Sequence, residues 1–278
     1  MVALDSLKWR RRAKRIFLYT FMLFFSTPFI FVFVWMVMAS LKTHLQNTAI
    51  PPLLIFDPTF ENYQRVFTRT PIVQYFNNSV IVAIGSTGLG LLLGLPAAFS
   101  IALYRQHHLA LAVLSSRIMP GMSYLVPWFI LFSALQLIGT HVAVILSHLT
   151  VTMPLVIWIL IGFFEDLPRE LFDAARIDGC SVYGAFARVA LPLALPGIIV
   201  SGILAFIFSW NNFMLSLILG GSGVRTLPVA VYNFIGETQI DWGGLNATAT
   251  TVTLPIVFFV LIVQRHVVRG LTLGAVKG

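Results

Sequence analysis

Residues 165–197 read EDLPRELFDAARIDGCSVYGAFARVALPLALPG, a polar stretch set between long apolar ones. It holds an acid and two alanines (Asp173, Ala174, Ala175), then Gly179 after three residues, then Val189-x-Leu191-Pro192 after nine more. Pro168 suits the first turn of a helix, where its missing N–H costs nothing. Glu170 and Asp173 fall in the first two turns, where the helix dipole favours acids. Leu171, Ala174, Ala175 and Asp178 recur at spacings of three and four, which predicts that they share one face. That face carries one large side chain and two small ones, so another helix or a groove wall can approach it closely. Gly179 is placed to end the helix, and a second short amphipathic stretch, Ser181–Val189, follows. The residues alone leave two readings open: a helix held by a soluble partner, or a connector resting on lipid. Five acids against two bases between Glu165 and Gly179 suit an anionic inner leaflet poorly.

The surroundings fix the class. The chain of 278 residues is 58% hydrophobic and 10% charged, whereas ordinary soluble domains carry about a quarter charged residues. That much apolar surface needs lipid as its solvent. Six spans of roughly 20 residues or more can be counted, at about 16–40, 76–104, 109–137, 142–164, 193–219 and 247–268. The expected class is therefore an all-α integral membrane protein. Its expected layout is a basic N-terminus at 1–15, a single transmembrane domain at 16–278 and a connecting loop at 165–192. The first apolar stretch is too long for the h-region of a signal peptide and reads as an uncleaved helix.

Lysine and arginine placement sets the orientation. With both termini inside, the cytoplasmic side holds fourteen cations: Lys8, Arg10, Arg11, Arg12, Lys14, Arg15, Arg105, Arg117, Arg169, Arg176, Arg188, Arg265, Arg269 and Lys277. The outside keeps four, Lys42, Arg65, Arg69 and Arg225. The polar stretch is thus expected in the cytoplasm. The net charge of +8 is accounted for by topology, with no need of nucleic acid.

Little else in the chain points to chemistry. A P-loop needs G-x-x-x-x-G-K-[ST], and none of the four lysines follows a glycine. There is no H-E-x-x-H, and the single Cys180 excludes an internal disulfide. His141 and His148 are seven apart and can share a helix face; such a pair reads as packing or hydrogen bonding rather than metal binding. No catalytic, cofactor-binding or metal-binding residue is expected. Within the fifth span, Trp210, Asn211 and Asn212 form a polar–aromatic cluster. It suits a sugar, whose hydroxyls need partners and whose C–H faces stack on aromatic rings. It equally suits hydrogen bonding between helices. Gly90-x-x-x-Gly94 reads as a close-packing face, and Pro120 and Pro127 as kinks in the third span.

The pattern acid-Ala-Ala, Gly179, aliphatic-x-Leu-Pro resembles the cytoplasmic "EAA" loop of the membrane subunits of bacterial ABC importers. Arg117-Ile118-Met119-Pro120, Gly162-Phe163-Phe164, Leu167-Pro168-x-Glu170-Leu171, Trp210-Asn211-Asn212-Phe213, Thr226-Leu227-Pro228, Gln264-Arg265-His266 and the ending Gly270–Gly278 are similar to the carbohydrate-importer permeases in the same order. The resemblance runs from about residue 16 to the C-terminus and is nearest to the second permease of sugar importers, the maltose-transporter type. It implies a type I permease fold in a bacterial inner membrane, six helices and a cytoplasmic coupling helix. It implies a second homologous permease, two ATPase subunits that bind ATP and Mg, an extracytoplasmic solute-binding protein and a sugar-like solute. Coupling to the ATPase would fall on Asp173, Ala174, Ala175 and Gly179, with Glu170 and Leu171 beside them and Lys277 and Gly278 in the tail. The family usually has Glu where this chain has Asp173, which keeps the charge and shortens the reach. Asn212 also departs, standing where the family often has an acid. The alternative is a secondary transporter or channel working alone. It lacks intramembrane acids for ion coupling, because all ten acids fall in or beside loops.

Overall fold

The computed structural model describes residues 2–236 and 239–275. Lys277 and Gly278, expected to touch an ATPase, lie outside the described residues. The chain is helical, and the described residues hold no strand beyond the isolated bridge Ile235–Ile240. Among the described residues, four helices are long and apolar enough to cross a membrane, or up to six if each of two sharply bent pairs is one span. The chain divides into two compact units, residues 1–70 with 233–251, and residues 71–232 with 252–278.

The first unit is built on α1 (Val2–Ser40), α2 (His44–Thr48) and α3 (Glu61–Arg69). From Ile16 to Val34 the large apolar side chains of α1 stand exposed, as a helix that faces hydrocarbon should. The carbonyls at its last residue and just beyond, which no helical N–H reaches, find partners in the loop and in α3. Asn62 Nδ2 donates to the carbonyls of Ser40 and Lys42, both at 2.8 Å, and the Thr59 N–H donates to Leu41 O at 2.8 Å. Lys42, only 2% exposed, donates to Leu53 O at 2.6 Å. Its ammonium lies 4.7 Å from the Trp35 ring and 4.9 Å from Phe56, where cation–π attraction replaces water. Arg65 pairs with Asp241 at 2.8 Å.

The second unit is a bundle whose core is α4 (Ile72–Leu103), α7 (His141–Glu165) and α11 (Leu195–Trp210). Glycines set the spacing. A β-carbon on Gly94 would stand 2.9 Å from Val156 Cγ1, and one on Gly90 3.4 Å from Thr152 Oγ1, so the Gly90–Gly94 face does pack closely, against α7. On α11, Gly197 lies against the ring of Phe163, 2.5 Å from where its β-carbon would be.

Two expected spans differ from straight helices. The third is α5 (His107–Ser116) and α6 (Leu125–Ala134), joined through a 3-10 turn at Gly121–Tyr124 and bent by 91°. The bend falls at Arg117–Pro120, and the Tyr124 hydroxyl spans it to donate to Ser116 O at 2.6 Å. Pro120 therefore breaks the span rather than kinking it, while Pro127 sits inside α6. After α8 (Arg169–Ile177) and α9 (Val182–Ala185), a π turn at Phe186–Ala190 leads into α10 (Leu191–Leu193), which meets α11 with a 77° bend across α9–α11. The expected fifth span, 193–219, is interrupted at Asn211–Phe213 before α12 (Met214–Leu219). Last comes α13 (Trp242–Ala275). Its N-terminus is capped by Asp241, whose Oδ1 accepts from Gly244 N at 3.0 Å.

Candidate functional site

The polar stretch folds into α8, a corner and α9. Pro168, in extended conformation (φ −57°, ψ 131°), precedes the first helical residue, and Glu170 sits in the first turn. At the far end the Gly179 N–H donates to Arg176 O (3.0 Å) and the Cys180 N–H to Ala175 O (2.9 Å). This is the paired closure of a Schellman motif, with glycine at the left-handed position. Gly179 has φ +80°, and a β-carbon there would meet nothing within 4 Å. Glycine is therefore needed for its backbone angle and not for room. Ser181 then caps α9, its Oγ accepting from Gly184 N at 3.1 Å.

What holds α8 to the bundle is aromatic. The Phe99 ring on α4 lies 5.6 Å from Phe164 at the end of α7, 5.7 Å from Phe172 on α8 and 5.0 Å from Phe186 in the π turn. Phe172 and Ala175 are buried in this cluster. Glu170, Leu171, Asp173, Ala174 and Gly179 are exposed. The shared face expected from the sequence is thereby divided. Ala174 and Leu171 point outward, whereas Ala175 packs on the chain's own core and offers no surface to a partner. The sequence reading missed Phe172 as the anchor. The signal was its i, i+3 relation to Ala175 beside a distant set of phenylalanines.

The second candidate cluster lies at the break between α11 and α12. Trp210 is the last residue of α11 and is 4% exposed. Its indole stacks on Phe206 at 5.8 Å and meets Phe76 edge-on at 5.8 Å, so rings of the chain itself pack against it. Its Nε1 is buried without a partner. Asn211 is exposed and bonds back to Ile207 O through both its N–H (3.1 Å) and its Nδ2 (2.9 Å). Half-buried Asn212 accepts from Leu215 N at 3.2 Å, capping α12 from outside. The two asparagines thus end one helix and start the next.

Behind the break runs a buried polar network. His148 on α7 meets Ser209 Oγ at 2.8 Å through Nδ1 and Ser216 Oγ at 3.2 Å through Nε2. Ser86 Oγ donates to Ser209 Oγ at 2.8 Å. His141 instead meets Asn78 Oδ1 at 3.0 Å. The two histidines serve separate contacts, and the described residues hold no group of three potential metal ligands.

The polar helix α8 thus packs on the end of a bundle whose helices are long and apolar enough to cross a membrane. The family described as "Binding-protein-dependent transport system inner membrane component" matches residues 1–273, and the chain belongs to it. It is a permease component of an ABC importer in the inner membrane, a transport subunit and not an enzyme. Among its relatives, the sulfoquinovosyl glycerol transport system permease SmoH of Agrobacterium fabrum is 35% identical over 255 residues, covering 90% of this chain and 89% of that protein. The trehalose transport system permease SugB of Mycobacterium tuberculosis is 38% identical over 226 residues, covering 79% and 82%. A chain of a bacterial ABC transporter involved in import of the acidic polysaccharide alginate shares the fold with a TM-score of 0.71 at 17% identity, over 91% of this chain and 94% of that one.

Proposed function

We propose that this chain is the second of two homologous permease subunits in an ATP-driven importer of a sugar or sugar-like solute. Both termini face the cytoplasm. Two ATPase subunits dock below and bind ATP and Mg, the solute-binding protein docks above, and this chain contributes no nucleotide site. The observation that carries the coupling role is the division of α8: Phe172 and Ala175 root it in the bundle, while Glu170, Leu171, Asp173 and Ala174 remain free for a partner. A push on the free face is transmitted through the rooted one to Phe99 on α4 and Phe164 on α7. ATP-driven closure of the ATPases would in this way rock the spans between inward-facing and outward-facing states. Relatives named for trehalose and for sulfoquinovosyl glycerol support a sugar-like cargo. Asn211, with Trp210 and Asn212 behind it, is assigned to the solute path.

The test is uptake into proteoliposomes that contain the complete transporter and its binding protein. A panel of radiolabelled trehalose, maltose and glycosyl glycerols is offered with and without internal ATP. ATP-dependent uptake of at least one member is expected. Uptake driven by an ion gradient without the ATPase subunits would favour a stand-alone transporter instead.

A further inference from the structure

The break at Asn211–Phe213 is spanned by one side chain. His148 is 1% exposed and uses both ring nitrogens: Nδ1 on Ser209, one residue before the end of α11, and Nε2 on Ser216, in α12. An imidazole with one N–H and one bare nitrogen can serve both hydroxyls at once, since each hydroxyl can donate or accept. Ser209 is held from a second side by Ser86 of α4. Thr152, one turn along α7, donates to His148 O (3.2 Å) and lies 3.4 Å from Ser86 O. In a span, a polar side chain that lacked these partners would be left unsatisfied in hydrocarbon. Backbone hydrogen bonds are missing at a helix break, so a side chain that reaches both flanks does the work of the absent ladder.

We infer that His148 is a positioning residue: a two-sided clamp from α7 that fixes the angle between α11 and α12 and so places Trp210 and Asn211. The inference rests on the proposed solute path for its meaning in transport, but the clamp itself is independent of that reading. A second observation points the same way. The Trp210 Nε1–H is buried and unpartnered beside the clamped residue Ser209. A donor left unsatisfied at a fixed break has a partner to gain when the break moves or when a hydroxyl-bearing solute arrives.

The experiment uses the assembled transporter in a Cys180→Ser background, with spin labels on cysteines at Phe208 and Ile218, exposed positions on either side of the break. A single narrow distance distribution is expected with His148. It should persist in His148→Gln, which keeps one donor and one acceptor, and be lost to a broad or double one in His148→Leu. Ser209→Ala with Ser216→Ala should lose it equally, and decides the matter alone if His148→Leu does not assemble. An unchanged narrow distribution in His148→Leu, or in the serine pair, overturns the clamp. Uptake of the best-carried sugar of the panel is read in parallel, with KM expected to rise more than Vmax falls. A broadened distribution with unchanged uptake leaves the clamp standing and removes the break from the solute path.

Discussion

The ring of Phe172 on α8 lies 5.7 Å from that of Phe99 on α4, and this contact ties the polar helix to the bundle. Replacing Phe172 with alanine should cost about 3 kcal/mol by the usual range for a buried phenylalanine. The loss should appear as a lowered melting temperature of the detergent-solubilised complex and as ATP hydrolysis that no longer drives uptake. Hydrolysis and uptake that stay coupled in Phe172→Ala would show that α8 is rooted elsewhere.

Gly179 offers a sharper distinction, because space and backbone angle separate there. Its β-carbon would meet nothing, yet its φ is +80°, and a left-handed angle costs an ordinary residue about 1–2 kcal/mol. Gly179→Asn should therefore retain more uptake than Gly179→Val, although asparagine and valine are of similar bulk. Equal uptake by the two variants would mean that the corner does not depend on this angle.

The α4–α7 contact can be tested with two glycines of the same helix. A methyl group at Gly94 would press on Val156 at 2.9 Å, whereas one at Gly88 would meet nothing within 4 Å. Gly94→Ala is expected to destabilise the complex by about 1–3 kcal/mol, and Gly88→Ala to leave the yield of folded complex unchanged or improved. A larger loss at Gly88 than at Gly94, measured by thermal unfolding, would contradict the packing described.

Asp241 pairs with Arg65 and also caps α13. The pair is partly exposed, at 30% and 28% of its side-chain surface, so it is worth about 0.2–1 kcal/mol and weakens with salt. The cap is worth about 1 kcal/mol, and an asparagine side-chain oxygen accepts the same hydrogen bond. Asp241→Asn keeps the cap and should cost little, while Asp241→Ala should cost clearly more. Melting temperatures in low and high salt separate the two contributions, and equal losses would assign the residue to the ion pair alone.

Much of this was legible in the sequence, for physical reasons. Apolar length marks a span wherever it occurs, and Pro168, Gly179 and Ser181 carry turn chemistry that acts within a few residues. The inward face of α8 was not legible. A nine-residue helix with apolar residues at Leu171, Phe172, Ala174, Ala175 and Ile177 supports more than one stripe, and the choice among them is made by Phe99 and Phe186, far away in the chain. The breaks were hidden for a different reason. The run 193–219 is apolar enough to read as one helix, and its interruption depends on Asn211 and Asn212 bonding to nearby backbone, a competition that composition does not reveal. The burial of Trp210 likewise depends on Phe76 from another helix.

The central claim is that energy enters through the outward face of α8. Co-purification of the ATPase subunits with an Ala174→Trp permease tests it most directly, because Ala174 is exposed and its small size lets a partner approach. The prediction is loss of the ATPase subunits from a permease that is still inserted at normal level, with uptake abolished. Normal co-purification together with normal uptake would contradict it.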